Sequence, residues 1–167
     1  MGEIMSRKPF SSYDHKTNDP ITKRIAVRFL EQGGEFELQC PLDDQPERFG
    51  DWDFFIFSQA LNRNMFVEVQ RKHGWKDYGK WQHNFRTVHV EERKHKSRAE
   101  LFIMFNYHCN TLLIGSMKKI IEAKVIKKDC RLSDGSILED DHFYELPPES
   151  FDFYKLDGYG VWRTTKP

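Results

Sequence analysis

The first regular hydrophobic pattern along the chain lies in the segment NDPITKRIAVRFLEQGG, residues 18–34. Its apolar side chains recur at steps of three and four residues, the spacing of one face of an α-helix. They are Ile21, Ile25, Ala26, Phe29 and Leu30. Asp19 suits the capping position, Pro20 suits the first helical position, and Gly33-Gly34 ends the pattern. The segment is predicted to form an amphipathic helix.

Strand patterns follow this helix. The segment EFELQCPL (35–42) alternates polar and apolar residues until Pro41, which predicts a half-buried strand. Two short apolar runs, 53–57 and 65–71, are joined by SQALNRN, in which Asn62 and Asn64 offer turn chemistry. These two runs are therefore predicted to pair as a hairpin.

Further strands are predicted beyond the hairpin. RTVHV (86–90), AELFIMFN (99–106) and TLLIGSM (111–117) have the apolar content of strands, whereas KKIIEAKVI (118–126) fits either a helix or an extended segment. The aromatic tail from residue 142 is expected to pack on the sheet edge. The order helix, strand, strand, strand, loop or helix, strand indicates an α/β fold.

Length and charge indicate the domain organisation. A chain of 167 residues with 38% hydrophobic residues is long enough to bury one core, and we expect a single domain over residues 19–167. Residues 1–18 lack apolar periodicity and are expected to form a loose arm. The 26 basic and 26 acidic residues cancel, so any basic binding surface must be local.

Cysteine usage and hydropathy suggest a compartment. The three cysteines are Cys40, Cys109 and Cys130, and they contain no Cys-x-x-Cys pair, which argues against a disulfide framework and a zinc site. No apolar run reaches the length of a signal peptide or of a membrane span. We therefore expect a cytoplasmic protein that does not associate with membranes.

Polar residues interrupt the predicted hairpin at regular positions. Residues two apart on a strand share a face, so Glu68, Gln70 and Lys72 are expected to project together. If the hairpin forms, Asp53, which shares a strand face with Asp51, can lie beside Glu68. Two carboxylates at that separation repel each other, and a shared divalent cation with oxygen ligands, such as Mg²⁺, is the simplest neutraliser.

Here the sequence resembles a family. A helix, a strand, a strand that opens with Asp and a strand that carries Glu-x-Lys form the core of the PD-(D/E)XK nuclease superfamily, and GDWDFFIF…MFVEVQRK is similar to its metal-binding hairpin. The resemblance covers roughly residues 19–106. It implies a restriction-endonuclease-like domain with a central mixed sheet.

The resemblance also implies roles for individual residues. Asp53, Glu68 and the backbone carbonyl of Val69 would bind Mg²⁺ or Mn²⁺, with Glu31 and Asp51 as candidates for further ligands. These are joined by two residues in catalytic roles, Gln70 and Lys72. Gln70 stands where the family has Lys, as in some restriction endonucleases of the superfamily. A Gln can position water but carries no charge and accepts no proton, so Lys72 is expected to supply the charge.

A segment rich in aromatic and basic residues, HGWKDYGKWQHNFR (73–86), follows the predicted metal site. Aromatic faces that alternate with cations are typical of nucleic-acid contact surfaces, although Trp and Tyr also pack at the ends of sheets. The expected contact residues are Trp75, Lys76, Lys80, Trp81 and Arg86. A second basic run, RKHKSR, occupies residues 93–98.

The expected function is that of a metal-dependent endonuclease that hydrolyses phosphodiester bonds in DNA, either structure-specific or weakly specific. A homodimer would let two sites address two strands. The alternative is a catalytically silent nuclease-fold protein that binds nucleic acid or a protein partner, such as a phage-like accessory or inhibitor. A structural interaction domain, with its acidic residues scattered over the surface, is a third interpretation.

Overall fold

The amphipathic segment near the start of the chain forms helix α1 (Asp19–Gln32), as the sequence predicts. The computed structural model describes residues 19–46, 51–76, 86–92, 94, 97–131 and 134–166. The expected N-terminal arm, residues 1–18, lies outside these described residues. Among them, no helix is long and apolar enough to cross a membrane.

Within the described residues, ten strands and a second α-helix follow α1. In chain order they are β1 (Phe36–Glu37), β2 (Phe54–Ser58), β3 (Arg63–Arg71), β4 (Val88–Glu91), β5 (Leu101–Phe105), β6 (Thr111–Ser116), α2 (Met117–Ile121), β7 (Lys124–Arg131), β8 (Ile137–Leu146), β9 (Asp152–Leu156) and β10 (Trp162–Thr165). The expected strand over 35–42 is shorter than predicted, because only Phe36 and Glu37 pair with a neighbour. The ambiguous segment 118–126 divides between the end of α2 and the start of β7.

The strands form two sheets. The larger one has the order β1-β2-β3-β5-β6-β9-β10, and the smaller one has the order β4-β8-β7. Strand β3 pairs antiparallel with β2, where Phe54 lies opposite Val67, and parallel with β5, where Val67 lies opposite Leu101. The large sheet is therefore mixed, which confirms an α/β fold with a central mixed sheet. The connection from β3 to β5 carries β4 into the second sheet, a pairing that the sequence pattern did not predict.

Alternation along the strands gives the large sheet two apolar faces. One face packs on α1 through side chains of the helix and of five strands, namely Ala26, Val27, Leu30, Phe54, Ile56, Val67, Ile103, Phe105, Leu112 and Trp162. The other face packs on the small sheet and α2, and its cluster includes Trp75, Val88, Val90, Phe102, Met104, Leu113, Tyr144, Leu146 and Phe153. The large sheet is thus the middle layer of three.

The large sheet curls so that its far edge reaches α1. The side-chain amide of Gln32, the last residue of α1, donates to the backbone carbonyl of Trp162 (2.9 Å) and accepts from its N–H (2.7 Å). These two bonds satisfy backbone groups of β10 that an edge strand would otherwise leave unpaired.

Trp75 belongs to the core rather than to a contact surface. It is fully buried, and its ring packs edge-on against Phe153 with ring centres 6.1 Å apart. Its backbone is also fixed, because its carbonyl accepts from the N–H of Tyr107 at 2.7 Å. The expectation that Trp75 stacks on nucleic acid is therefore wrong for this conformation, since no face of the ring reaches solvent.

The position of Trp75 generates a prediction about stability. Trp75→Ala should lower the free energy of unfolding by about 3–5 kcal/mol, because a large buried side chain leaves a cavity when it is truncated. Urea denaturation followed by far-UV circular dichroism measures this change. Leu61→Ala is the control, since Leu61 is 51% exposed and its truncation should change stability by about 0.5 kcal/mol or less. Equal effects of the two substitutions would contradict the core assignment.

Candidate active site

The β2–β3 pairing brings the carboxylate of Asp53 to the strand that carries Glu68. The N–H of Asp53 donates to the carbonyl of Val67 (2.9 Å), and the N–H of Val69 donates to Oδ2 of Asp53 (2.7 Å). Asp53 directly precedes β2, and its carboxylate accepts a hydrogen bond from a backbone N–H of β3. This bond holds the side chain beside Glu68. The predicted juxtaposition of Asp53 and Glu68 is present in the structure.

The two carboxylates of this pair carry like charges and lie close together, so they repel each other. Burial and then the negative charge of Glu68 raise the pKa of Asp53 from 3.8 to about 7, against opposing effects of Lys94, the Val69 N–H and Lys23. Glu68 is itself buried. A carboxylate pair in this environment requires a nearby cation or a shared proton.

Lys94 supplies a cation that the sequence interpretation missed. Its ammonium forms an ion pair with Oε1 of Glu68, and its side chain is 19% exposed. Burial alone would lower the pKa of Lys94, but the charges of Glu68 and Asp53 raise it above its ordinary value. Lys94 lies in the basic run 93–98, which the sequence suggested as a general contact region, and nothing in that run distinguishes it from its neighbours.

Residues just after Lys94 fix the start of the Asp53 segment. The hydroxyl of Ser97 donates to the backbone carbonyl of Asp51 (2.7 Å) and lies 3.5 Å from Oε2 of Glu68. The N–H of Arg98 donates to the same carbonyl at 2.7 Å. Asp51 therefore contacts the site through its backbone, and its expected role as a carboxylate ligand has no support from these contacts.

Gln70 follows Glu68 on the face of β3 that points to the small sheet, and Lys72 comes directly after the strand. Oε1 of Gln70 is buried and has no hydrogen-bond partner within the described part of the chain. Lys72 acts electrostatically on His89 of β4, a buried residue whose pKa is lowered by burial and by Lys128. His89 contacts Lys128 through Nδ1 (3.0 Å) and Glu145 through Nε2 (3.3 Å). The charge of Lys72 is thus felt at His89 in the small sheet, while Lys94 pairs with Glu68.

The structure does not bring Glu31 to the carboxylate pair. Lys23 is the residue of α1 whose charge acts on Asp53, and Glu31 lies eight positions further along, about 12 Å of helix rise. Glu31 is exposed, and its Oε1 accepts from the N–H of Leu38 at 3.4 Å. None of these contacts supports a ligand role for Glu31.

Of the other residues expected to contact nucleic acid, two are exposed and two lie outside the described residues. Lys76 and Arg86 are exposed, and Nζ of Lys76 lies 5.4 Å from the ring centre of Tyr107. Lys80 and Trp81 lie outside the described residues. Tyr107, in the loop after β5, was not identified from the sequence, because an isolated Tyr carries no spacing signal.

Oxygen donors dominate the site. The described residues contain no group of three or more His, Cys, Asp or Glu side chains that could hold a metal ion. Asp53 and Glu68 nevertheless offer two carboxylates, and Gln70 adds a buried amide oxygen without a partner in the described chain. Mg²⁺ prefers such oxygen donors and usually keeps several waters, so this donor set suits Mg²⁺ or Mn²⁺.

A groove of about 540 Å³ lies at the other end of the large sheet, between the end of α1 and the start of β5. Its lining includes Phe29, Gly33, Leu101, Ile114 and Lys119. None of the predicted site residues lines this groove.

Comparison with known proteins gives no relative. No protein-family model matches the chain, and no significant match was found among curated proteins or solved structures.

The raised pKa of Asp53 predicts a pH-dependent effect of Asp53→Asn on stability in the absence of metal. Between pH 4 and pH 7 the folded protein binds a proton that the unfolded chain does not, so the stability contributed by this carboxyl falls as pH rises. Asn removes one repelling charge and keeps an oxygen for the Val69 N–H. The gain of the variant over the wild type should therefore grow from pH 5 to pH 8, to at most about 4 kcal/mol, since one pKa unit is about 1.4 kcal/mol.

Urea denaturation in EDTA at several pH values measures this difference. Asp51→Asn is the matched control, because it makes the same replacement two residues earlier and leaves both members of the pair in place. A gain of equal size in both variants, or a gain that does not vary with pH, would contradict the proposed repulsion.

Proposed function

We propose that the protein is a metal-dependent endonuclease of PD-(D/E)XK type that hydrolyses phosphodiester bonds in DNA. The observation that carries the proposal is the meeting of Asp53 and Glu68 at the start of the hairpin, with the ammonium of Lys94 paired to Glu68. The order α1, β1, β2, β3, with Asp before β2 and Glu in β3, supports a restriction-endonuclease-like core.

The chain's own residues have separate roles in this proposal. Asp53 and Glu68 would hold Mg²⁺ or Mn²⁺, and the backbone carbonyl of Val69 and the amide oxygen of Gln70 are further donors near them. A metal bound there would lower the pKa of a bound water and polarise a phosphoryl oxygen. Gln70, with no charge, positions water through its amide and does not remove a proton.

Lys94 is the residue proposed to offset the negative charge that develops on the phosphate. Its ammonium already lies at Glu68, whereas the charge of Lys72 acts on His89 of the small sheet. Fixed cations at the reacting group stabilise charge in the transition state with little reorganisation. We therefore assign to Lys94 the role that the sequence interpretation gave to Lys72.

A second function is favoured by the same ion pair. Lys94 neutralises the carboxylate pair without a metal, and Gln70 stands in place of the motif Lys. These two features also suit a catalytically silent nuclease-fold protein that binds nucleic acid. Cleavage assays separate the two functions.

Cleavage should require both the metal and the carboxylate pair. The purified protein should cut DNA in Mg²⁺ or Mn²⁺ but not in EDTA, and Asp53→Asn and Glu68→Gln should each abolish cleavage. Gel assays on single-stranded, duplex and branched DNA measure this activity. Full activity of both variants would exclude Asp53 and Glu68 as ligands.

Lys94→Ala should slow cleavage at least tenfold, which corresponds to about 1.4 kcal/mol of transition-state stabilisation, and Lys72→Ala should slow it less. Lys118→Ala, which removes an exposed lysine of α2, is the matched control and should leave the rate unchanged.

Gln70→Lys should preserve or raise activity. If the wild type cuts none of these DNA forms and Gln70→Lys does not restore cleavage, the silent binding function takes the place of the nuclease.

A further inference from the structure

One edge of the large sheet gathers several loops. Strand β3 runs parallel to β5, and β6 runs antiparallel to both β5 and β9, so the ends of β3, β5 and β9 lie at the same edge. The connection after β3, the 106–110 loop after β5 and the 157–161 turn before β10 therefore lie side by side. Asp53 and Glu68 are close to this same edge, because Glu68 is three residues from the end of β3.

Two tyrosines are exposed on these loops. Tyr107, in the loop after β5, is 37% exposed, and Tyr159, in the turn between β9 and β10, is 93% exposed. Strand β9 is two strands from β5 in the sheet, and neighbouring strands are about 4.8 Å apart, so the turn of Tyr159 follows the loop of Tyr107 along the edge. Two exposed aromatic side chains thus follow the carboxylate pair across the sheet.

Two cations lie close to the ring of Tyr107. The guanidinium carbon of Arg71 lies 5.0 Å from the ring centre of Tyr107, and Nζ of Lys76 lies 5.4 Å from it. Nε of Arg71 also donates to the carbonyl of Tyr107 at 2.8 Å, which fixes the two residues together. Residues 70–76 contain four basic or histidine side chains, residues 106–110 contain one more, and neither segment contains Asp or Glu. Although the chain as a whole has no net charge, this part of the edge is basic.

The loop that carries Tyr107 is held rigidly. The side chain of Asn106 is fully buried, and its Oδ1 accepts from the N–H groups of Asn110 (3.0 Å) and Thr111 (3.1 Å). The buried Trp75 holds the backbone of Tyr107 from the other side. Such fixed loops lose little conformational entropy when a ligand binds.

The turn that carries Tyr159 is also fixed. Oδ1 of Asp157 accepts from the N–H groups of Tyr159 and Val161, both at 2.9 Å, and Oδ2 pairs with Nε of Arg163 at 2.7 Å. The carboxylate of Asp157 is thus engaged within the turn, while the ring of Tyr159 projects from it. The turn presents an aromatic face without adding an uncompensated negative charge.

We infer that Tyr107, Tyr159, Arg71 and Lys76 form a binding surface, the edge surface, for an unpaired segment of DNA. An aromatic ring can stack only on a base that is not enclosed in a duplex, and stacking combined with cations for phosphates is how proteins bind single strands. Lys76 is exposed, so its flexible side chain can leave the ring of Tyr107 for a phosphate. The edge surface rests on the proposed action on nucleic acid, and it specifies single-stranded DNA as the segment that is bound.

Fluorescence anisotropy with a labelled single strand of about 20 nucleotides, long enough for one binding site, and with the corresponding duplex, both in EDTA, tests binding apart from cleavage. Tyr107→Ala and Tyr159→Ala should each weaken single-strand binding about tenfold and change duplex binding by less than about twofold. Tyr107→Phe, which keeps the ring, should bind like the wild type. Leu61→Ala, at the hairpin turn on the opposite edge, is the control for removal of an exposed apolar side chain.

Salt titration tests the cation. Lys76→Ala should flatten the log-log dependence of single-strand affinity on salt by about 0.7 for each phosphate that the lysine no longer neutralises, and Lys119→Ala, on the exposed side of α2, should not. Thermal unfolding of each variant checks that the fold is intact. Wild-type affinity of both Tyr→Ala variants, or an equal decrease in affinity for single strand and duplex, would overturn the inference.

The two proposals fail in different ways. Normal single-strand binding without cleavage would overturn the nuclease and leave the edge surface in place. Normal cleavage with Tyr→Ala variants that bind like the wild type would overturn the edge surface alone.

Discussion

Two carboxylates that meet in a partly desolvated position must share a positive charge, and the central part of this structure is arranged around that requirement. Asp53 is held against β3 by the N–H of Val69, and Glu68 is buried beside it. The charge of Lys94 comes from the connection between β3 and β5, the same connection that carries β4 into the second sheet. The carboxylate pair therefore links the β2–β3 hairpin, the crossover and the small sheet.

The local part of this arrangement was predictable from the sequence. Helix α1 begins and ends where the caps and the Gly-Gly pair indicate, and the two apolar runs pair as a hairpin around Asn62, whose φ of 52° suits the left-handed conformation of a turn. Once that hairpin forms, period-two alternation places Asp53 and Glu68 together. These features depend on residues close in sequence, so their patterns could be interpreted directly.

Long-range features could not be predicted in the same way. Lys94 is 26 residues from Glu68 and lies in a run of similar basic residues, so only the tertiary fold selects it. The burial of Trp75 could not be predicted for the same reason. A Trp in a polar, glycine-containing segment has the composition of a contact loop, and its burial depends on the small sheet that covers it. The charge of Lys72 acts on His89 of β4, a residue of the small sheet whose place beside the hairpin the sequence pattern did not predict.

The edge of the sheet gives the two proposals a common physical basis. The loops at strand ends do not need the alternation of polar and apolar residues that a buried strand requires. Cations and exposed aromatic rings can therefore occupy these loops with little effect on the stability of the core. In this chain the buried Trp75 and Asn106 hold the loop of the exposed Tyr107 in place, and the carbonyl of Tyr107 in turn accepts from Nε of Arg71 at the end of β3. The carboxylate pair of the β2–β3 hairpin and the exposed tyrosines after β5 and β9 therefore lie along one edge of the sheet. The first is fixed there by the backbone N–H of Val69, and the loop of Tyr107 is fixed there by the buried Trp75 and Asn106.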